Sequence, residues 1–357
     1  MYDVEFYMRS HDLLRRAQTE ETLDLTVLRD ALESFRSPDP VVYNIETTNA
    51  CNMRCEMCPR TTMMTRSIET MDPGLFELLV GQLHPFAEET WRRWDRFVAE
   101  VYGIGVDDMS ENHFFLHVIP RVIQLHGYGD PLLDRNMARY VKLLSEAGLD
   151  SYFSCNPANI DIDRTVEMFE NGLGYIKYSI ETVDDSRHKQ IRGEASEFTQ
   201  SYQRILSLLE LKRRHGFKTV IVITMLDLNR KDQAEDYRLL REAFAGRDVY
   251  LYLKSEDQQW YRQDYHGTKS VHWSECCKHP WMSMTVKSNG EACMCMEDYD
   301  NEIVLGDTRR DTLADIWNGD AYRRFRDQHL HATRGLKCSE RCDMMMVGEA
   351  ISPSRRP

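Results

Sequence analysis

The sequence predicts an α/β protein with a parallel sheet, arranged as a partial barrel or an open doubly wound sheet. Six short runs of apolar and β-branched residues recur along the chain, each flanked by polar or glycine-containing stretches. Segments with helical periodicity lie between these runs, which is the βα repeat of a parallel sheet. At 357 residues the chain is long enough for one such domain and a smaller second unit.

The predicted strands follow one another at intervals that leave room for a helix. They are Val41–Thr48, Val122–Gly127, Asp150–Cys155, Tyr175–Ile180, Thr219–Leu226 and Val249–Lys254. The predicted helices are Pro73–Leu83, Met137–Ala147, Asp163–Asn171, Tyr202–His215 and Asp232–Phe244. The first crossover is much longer than its helix requires, so residues 86–120 are predicted to hold an inserted helical element. Its aromatic stripe, including Trp91, Trp94 and Phe97, favours packing against the domain over a lid or a dimer surface.

The βα alternation stops at residue 254, and a second unit is predicted over residues 255–346. Strand-like segments Trp281–Val286 and Glu291–Cys295 flank Asn289-Gly290, which predicts a tight hairpin because both residues tolerate positive φ. Residues 312–330 are predicted to form one or two helices. A helical extension over residues 1–40 and a tail over residues 347–357 complete the predicted organisation.

Composition argues against some partners and compartments. With 45 Lys and Arg against 58 Asp and Glu, the formal charge of −13 would repel a phosphate backbone, so we expect no nucleic-acid partner. No window approaches a membrane span and the N-terminus lacks a secretory signal, so we expect a cytoplasmic protein without a membrane partner. Ten cysteines in a reducing compartment indicate metal ligands or reactive thiols more than disulfides.

The first cysteine cluster directly follows the first predicted strand. Cys51, Cys55 and Cys58 lie within eight residues, in a loop at the carboxyl end of that strand, where parallel α/β sheets place their ligands. Three thiolates are one too few for a [4Fe–4S] cluster held entirely by protein, so one iron would stay open to another molecule. On spacing alone, a three-cysteine zinc site with a distant fourth ligand is an equal alternative.

The C-x3-C-x2-C spacing, together with the strand end Glu46–Ala50 before it, resembles the radical S-adenosylmethionine (SAM) superfamily. The resemblance implies a partial (β/α)6 barrel over residues 41–254 and a [4Fe–4S] cluster on the three cysteines. In that family the amine and carboxylate of SAM bind the open iron, and an electron from the cluster yields a 5′-deoxyadenosyl radical. Met57 stands where the family usually has an aromatic residue, and methionine can also pack against an adenine.

The resemblance extends to later strand ends. The segment His126–Pro131 resembles the family's Gly-Gly-Glu motif, whose backbone meets the methionyl amine, with aspartate in place of glutamate. Ser154–Asn156 resembles the frequent Thr-Asn-Gly without its glycine, and Ser179–Glu181 resembles a Ser-Ile-Asp/Glu stretch near the ribose and carboxylate of SAM. His188–Gly193 resembles the Arg-Ile-Arg-Gly segment that follows. The residues thereby assigned to cofactor binding are Met57, Gly127, Tyr128, Gly129, Asp130, Asn156, Ser179, Glu181 and Arg192.

A second group of cysteines occupies the last quarter of the chain. Its members are Cys276, Cys277, Cys293, Cys295, Cys338 and Cys342. The run from Cys277 through Gly290 to Cys295, with the late cysteine pair, resembles the SPASM extension or its shorter twitch form, which carry auxiliary [4Fe–4S] clusters. Because no cysteine lies between Cys295 and Cys338, we expect one auxiliary cluster held by Cys277, Cys295, Cys338 and Cys342, and therefore two clusters in all.

Two cysteines remain outside this ligand set. Cys276 and Cys293 are each interpreted as an alternative ligand, an inert buried thiol, or a hydrogen-atom donor to a substrate radical, and a donor would make the reaction a redox-neutral epimerisation. Cys155, on a strand end, is a weaker candidate for that role, with packing as the alternative. Glu256, just beyond the sixth strand, is a candidate for proton exchange with a hydroxylated substrate, or else a solvated charge.

The resemblance specifies the enzyme class more firmly than the substrate. Many peptide-modifying members begin with a separate peptide-binding domain, for which the residues before the first strand are too few. A small polar biosynthetic substrate such as a sugar, aminocyclitol or nucleoside is therefore expected, with dehydrogenation or epimerisation at a carbinol carbon. The alternatives are maturation of a ribosomal peptide or protein, decarboxylation or deamination of a sugar, and a non-catalytic zinc scaffold. The expected electron donor is a flavodoxin- or ferredoxin-type reductant.

Overall fold

The computed structural model describes residues 1–19, 24–106, 109–228, 230–254, 277–331 and 338. Its strands are β1 (Val42–Ile45), β2 (Val122–Gln124), β3 (Asp150–Cys155), β4 (Tyr175–Ser179), β5 (Val220–Leu226), β6 (Tyr250–Lys254), β7 (Met284–Val286), β8 (Glu291–Cys293) and β9 (Val304–Asp307). Its helices up to the third strand are α1 (Val4–Thr19), α2 (Leu25–Phe35), α3 (Pro59–Thr62), α4 (Pro73–Val80), α5 (Glu88–Tyr102), α6 (Glu111–His113) and α7 (Met137–Glu146). The later helices are α8 (Ile162–Glu170), α9 (Asp185–Arg192), α10 (Phe198–His215), α11 (Gln233–Ala243), α12 (His279–Met282), α13 (Leu313–Trp317) and α14 (Asp320–His331).

The described strands form one sheet, in the order β6-β5-β4-β3-β2-β1-β7-β8-β9. Strands β1 to β6 are mutually parallel and lie in chain order. A doubly wound sheet reverses its strand order at a switch point, so the sequential order identifies the other predicted arrangement, a partial barrel. The predicted α/β class with six parallel strands is therefore confirmed.

The two faces of the parallel strands are buried by different parts of the chain, because successive side chains point to opposite sides. Ile176 and Tyr178 of β4 belong to the core cluster that contains residues of the flanking helices. On the inner face, Phe114 packs edge-on against Tyr152 at 5.5 Å between ring centroids and lies 5.4 Å from Tyr252. Phe114 opens a π-helical turn over residues 114–118, and its apolar residues belong to the same buried cluster as Tyr152 and Tyr252.

The insertion over residues 86–120 is held against the N-terminal helix by aromatic contacts. Trp94 of α5 is fully buried, packs edge-on against Tyr7 of α1 at 5.1 Å, and donates its indole N–H to the carbonyl oxygen of Leu116 at 2.6 Å. Phe97 stacks on Trp94 at 5.6 Å between ring centroids. The aromatic stripe of α5 thus packs against the domain.

The C-terminal hairpin extends the barrel sheet instead of forming a sheet of its own. Strand β7 pairs parallel to β1, and β7 and β8 form the predicted antiparallel hairpin. The backbone N–H of Lys287 donates to Glu291 O at 2.9 Å, closing a three-residue loop in which Gly290 has φ 85°. Of the two residues that tolerate positive φ, only Gly290 adopts it, and the predicted hairpin forms around it.

The rest of the C-terminal region adds elements to the same sheet and core. Strand β9, which the sequence did not predict, pairs antiparallel with β8. The segment 312–330 forms two helices, α13 and α14, and both pack on β9. Among the described helices, none combines the length and apolar character that crossing a bilayer requires.

Candidate active site

The cysteine loop between β1 and α3 is held in place by the end of α9. The backbone N–H groups of Arg54 and Glu56 donate to the carbonyl oxygens of Arg192 and Ile191, at 3.0 and 2.9 Å. Gly193 follows with φ 105°, and a Cβ there would lie 3.1 Å from the Arg54 nitrogen. The close approach and the backbone conformation both favour glycine, so the segment resembling Arg-Ile-Arg-Gly supports the loop that carries the first cysteines.

The three cysteines border one cavity of about 270 Å³ at the carboxyl ends of the strands. Its lining residues are Cys51, Met53, Cys55, Met57, Cys58, Pro59, His126, Gly127, Tyr128, Gly129, Asp130, Ser154, Cys155, Asn156, Ser179, Arg192, Met296 and Glu297. Every residue assigned to cofactor binding from the sequence is in this set except Glu181, which contacts the cavity-lining Arg192. Segments far apart in sequence are thus brought to one site.

The chemistry of the cysteine loop fits iron–sulfur ligation. Burial raises the pKa of Cys51 to about 11 and that of Cys58 to about 12, so both are protonated thiols at neutral pH until a metal displaces the protons. Within the described ranges, no three His, Cys, Asp or Glu side chains are grouped to hold a single metal ion. In a [4Fe–4S] cluster each cysteine binds a different iron.

The glycine-containing loop after β2 packs directly on the end of β1. A Cβ on Gly127 would lie 2.1 Å from a carboxylate oxygen of Glu46, and one on Gly129 would lie 2.2 Å from the carbonyl oxygen of Thr48. Asp130 N–H donates to Ala50 O at 2.8 Å, which ties the loop to the residue before the first cysteine. The two glycines are required because a larger residue would push the loop off β1 and alter the cavity wall.

Asp130 binds the protein itself on several sides. Its carboxylate accepts hydrogen bonds from the backbone N–H groups of Leu132 and Asn156, both at 3.0 Å, and from the amide of Asn159 at 2.8 Å. Burial nevertheless raises the pKa of Asp130 above its ordinary value. The aspartate at this motif position therefore joins the ends of β2 and β3 beside the cavity.

Arg192 and Glu181 form a buried ion pair at the edge of the cavity. The Glu181 carboxylate is fully buried, pairs with the Arg192 guanidinium and accepts the N–H of Leu226 at 2.9 Å. Another guanidinium nitrogen lies 3.8 Å from the Cys55 sulfur, while Nε of Arg192 has no hydrogen-bond partner within the described part of the chain. An unpartnered donor bordering the cavity suits an acceptor group on a bound cofactor.

Three further predicted residues are polar or soft groups on the cavity wall. Asn156 caps the short helical turn after β3 through Ala158 N–H at 2.9 Å and reaches Ser196 Oγ at 3.1 Å with its amide nitrogen. The Ser179 hydroxyl lies 3.5 Å from that of Ser154 on the neighbouring strand. Met57 borders the cavity beside Cys58, where a thioether can pack against an aromatic base.

Glu46 is a central residue of the site that the sequence did not single out. Both of its carboxylate oxygens lie 2.6 Å from Arg66, and the carboxylate also accepts from Tyr128 N–H at 3.2 Å and from Ser288 Oγ at 3.0 Å. Burial favours the neutral acid, but the charges of Lys287 and Arg66 outweigh it and hold the pKa of Glu46 below its ordinary value. This carboxylate joins β1, the glycine loop and the C-terminal hairpin.

The C-terminal region also contributes directly to the cavity through Met296 and Glu297. The Tyr128 hydroxyl donates to the Glu297 carboxylate at 3.1 Å, and Lys287 Nζ donates to Met296 O at 2.9 Å. Both residues follow Cys295 within two positions, and that adjacency is the sequence signal that would have indicated them.

The predicted auxiliary ligands are only partly within the described residues. Burial raises the pKa of Cys277 to about 11 and raises that of Cys295 as well. Cys338 is buried in the core cluster. Cys293 is fully buried in β8 and does not border the cavity, whereas Cys155 does. Three predicted site residues lie outside the described ranges, namely Cys276, Cys342 and Glu256.

Comparison with known families and structures agrees with this geometry. Residues 45–240 match the radical SAM superfamily, and residues 276–343 match the SPASM iron–sulfur cluster-binding domain. No curated protein matches the chain.

Similar solved structures include anSMEcpe with bound AdoMet, which is 13% identical, with 85% of this chain and 89% of that chain covered and a TM-score of 0.51. BtrN in complex with AdoMet and 2-DOIA is 17% identical over 88% of this chain and 98% of that one, with a TM-score of 0.47. SuiB of Streptococcus suis bound to S-adenosylmethionine is 13% identical, with 90% of this chain and 77% of that chain covered and a TM-score of 0.48. The family matches cover more than half of the chain, so this protein belongs to the radical SAM superfamily and carries a C-terminal SPASM iron–sulfur domain.

Proposed function

We propose that this enzyme abstracts hydrogen from a carbon of a small polar biosynthetic molecule, such as a sugar, aminocyclitol or nucleoside, and that the outcome is dehydrogenation. One observation carries this proposal. The cavity is lined both by Cys51, Cys55 and Cys58 and by Met296 and Glu297, which directly follow the predicted auxiliary ligand Cys295. A substrate bound there would be near the predicted SAM cluster and near the segment that follows the predicted auxiliary ligand.

When bound, SAM and the two predicted clusters would supply a hydrogen-abstracting radical and an acceptor for the second electron. The protein's own residues would bind the substrate and orient it. The hydroxyl of Ser154 and the carboxylate of Glu297 line the cavity and would hydrogen-bond a hydroxylated substrate, while Ser179 is kept for SAM. Their arrangement suits a small polar ligand better than an apolar one.

Epimerisation requires a thiol that returns hydrogen to the substrate. Cys293 is buried in β8 away from the cavity, which favours dehydrogenation over a Cys293-dependent epimerisation. The candidate donors that remain for an epimerisation are Cys155, which borders the cavity, and Cys276, which lies outside the described residues.

The experiment incubates anaerobically reconstituted enzyme with SAM, dithionite and panels of sugars, aminocyclitols, nucleosides and peptides, in water and in deuterium oxide. Formation of 5′-deoxyadenosine coupled to loss of two hydrogens from a small molecule supports the proposal. Solvent deuterium at one inverted carbon would instead establish epimerisation. Coupling only to peptides would overturn the proposed substrate class in favour of a peptide maturase.

A further inference from the structure

Below the cysteine-lined cavity, the inner face of the barrel carries a buried lysine that has no counter-ion among the described residues. Ser179 borders the cavity, and Lys177 precedes it by two residues on β4, so Lys177 faces the same side, about 7 Å deeper. Lys177 is 8% exposed. Its Nζ lies 5.7 Å from the ring centre of Tyr152, and no carboxylate in the described chain forms an ion pair with it.

A second lysine and neutral polar groups lie on the same inner face of the barrel. Thr224 of β5 pairs with both Ser179 and Tyr252, so Tyr252 lies on the inner face, and Lys254 follows two residues later on that face. The charge on Lys254 acts on Lys177 strongly enough to lower its pKa further than burial alone does. Glu111 contributes a weaker opposing charge through space.

Two neutral polar groups on this face lack hydrogen-bond partners among the described residues. The Tyr252 hydroxyl and Nδ1 of His126 are buried and have no hydrogen-bond partner within the described part of the chain. The His126 ring packs edge-on against Tyr152 at 5.1 Å, and the charges of Lys177 and Lys254 both act on it. Burying a polar group without a hydrogen bond is unfavourable, and so is burying a cation without an opposite charge. A ligand that accepts hydrogen bonds and carries negative charge would lower the free energy of both groups.

We propose that Lys177, with Lys254, His126 and the Tyr252 hydroxyl, forms an anion-binding subsite in the barrel interior that recognises a carboxylate or phosphate group of the substrate. This inference rests on the proposed function, since it places the small polar substrate in the same interior. The anionic end lies deep in the barrel, and the reacting carbon then lies above it, toward the layer of Ser179 and the cysteine loop.

The subsite is tested with two small anions as probes, potassium phosphate and potassium acetate. The reconstituted enzyme is saturated with SAM so that the cofactor's own carboxylate site is filled, and ionic strength is kept constant with potassium chloride. Thermal midpoints at rising millimolar probe concentrations give an apparent affinity, because a ligand that binds only the folded protein stabilises it. The variants are Lys177→Met, Lys177→Gln and the control Lys142→Met, whose lysine is exposed on α7.

We expect wild type and Lys142→Met to bind one of the probes alike and both Lys177 variants to bind it about ten- to a hundredfold more weakly, as for a lost charge-assisted hydrogen bond. Preference for phosphate indicates a phosphorylated substrate, and preference for acetate a carboxylated one. Absence of stabilisation in wild type, or equal stabilisation in the Lys177 variants, would overturn the subsite. SAM binding checks that each variant is folded. The readout needs no turnover, so failure to form 5′-deoxyadenosine would count against the proposed function and not against the subsite.

Discussion

Replacing Lys177 by methionine is expected to stabilise the ligand-free protein, by an amount that falls as pH rises. Burial, with a smaller contribution from Lys254, lowers the pKa of Lys177 from 10.5 to about 7. Below that value the folded protein must hold a buried ammonium group that the unfolded chain exposes to water. At about 1.4 kcal/mol per pH unit, the full difference between the two pKa values corresponds to about 5 kcal/mol.

The sign and the pH window follow from proton binding. Between pH 7 and 10.5 the unfolded chain binds more protons at this lysine than the folded protein does, so wild-type stability rises with pH across that range. The methionine variant lacks this dependence. The stabilisation on substitution is therefore about 4 kcal/mol at pH 7 and about 2 kcal/mol at pH 9, apart from a constant contribution of the buried methionine.

The assay compares thermal midpoints of reconstituted wild type, Lys177→Met and Lys142→Met, from pH 7 to pH 9. We expect Lys177→Met to melt several degrees above wild type at pH 7 and this gap to shrink by about half at pH 9. The Lys142→Met control should show no pH-dependent gap, because that side chain is 59% exposed. If the difference in thermal midpoint is absent, or does not change with pH, then Lys177 is not a buried cation that lacks an ion pair, as it does within the described residues.

Three further predictions concern the cysteine loop and its supports. Gly129→Ala should weaken SAM binding by at least about tenfold, because the new Cβ would lie 2.2 Å from a backbone oxygen. The control Gly81→Ala, whose Cβ would have no contact closer than 3.6 Å, should bind SAM as wild type does. Equilibrium dialysis measures both affinities. Arg192→Met should reduce 5′-deoxyadenosine formation far more than the conservative Arg192→Lys, because it leaves Glu181 as a buried unpaired carboxylate; equal loss in both variants would contradict this. Iron uptake by the apoprotein should be faster at pH 9 than at pH 7, because the raised pKa values keep Cys51 and Cys58 protonated at neutral pH. The visible absorption of the cluster measures the rate of uptake. A rate that does not depend on pH would contradict this prediction.

The sequence predicted correctly those parts of the fold and of the site that are formed by one continuous segment of the chain. Strand β3 has the predicted bounds, Asp150–Cys155, and the cysteine loop carries its three thiols within one short segment. The first strand was predicted to continue to Thr48 but ends at Ile45. Beyond Ile45 the chain leaves the sheet, and the hydroxyl of Thr48 forms a hydrogen bond with that of Thr70 at 2.9 Å.

The missed residues depend on tertiary contacts that no local pattern records. Glu46, Arg66 and Ser288 are far apart in the chain, and each alone resembles an ordinary surface polar residue. Ser288 reaches Glu46 because β7 pairs with β1, which places the C-terminal hairpin against the strand that precedes the cysteine loop, and Arg66 reaches it from the segment between α3 and α4. The same pairing brings Glu297 to the cavity. Lys177 was missed because an isolated lysine in a strand gives no sign of which face it occupies or of what lies opposite.

The central claim is that Cys51, Cys55 and Cys58 hold the cluster at which SAM is cleaved. Its most direct test measures 5′-deoxyadenosine formed from SAM and dithionite by anaerobically reconstituted wild type and by the triple variant with alanine at all three positions. We expect wild type to form the product and the triple variant to form none while retaining about half of the iron on its C-terminal cysteines. Equal product formation by the triple variant, or a wild type that binds zinc and forms no 5′-deoxyadenosine, would contradict the claim.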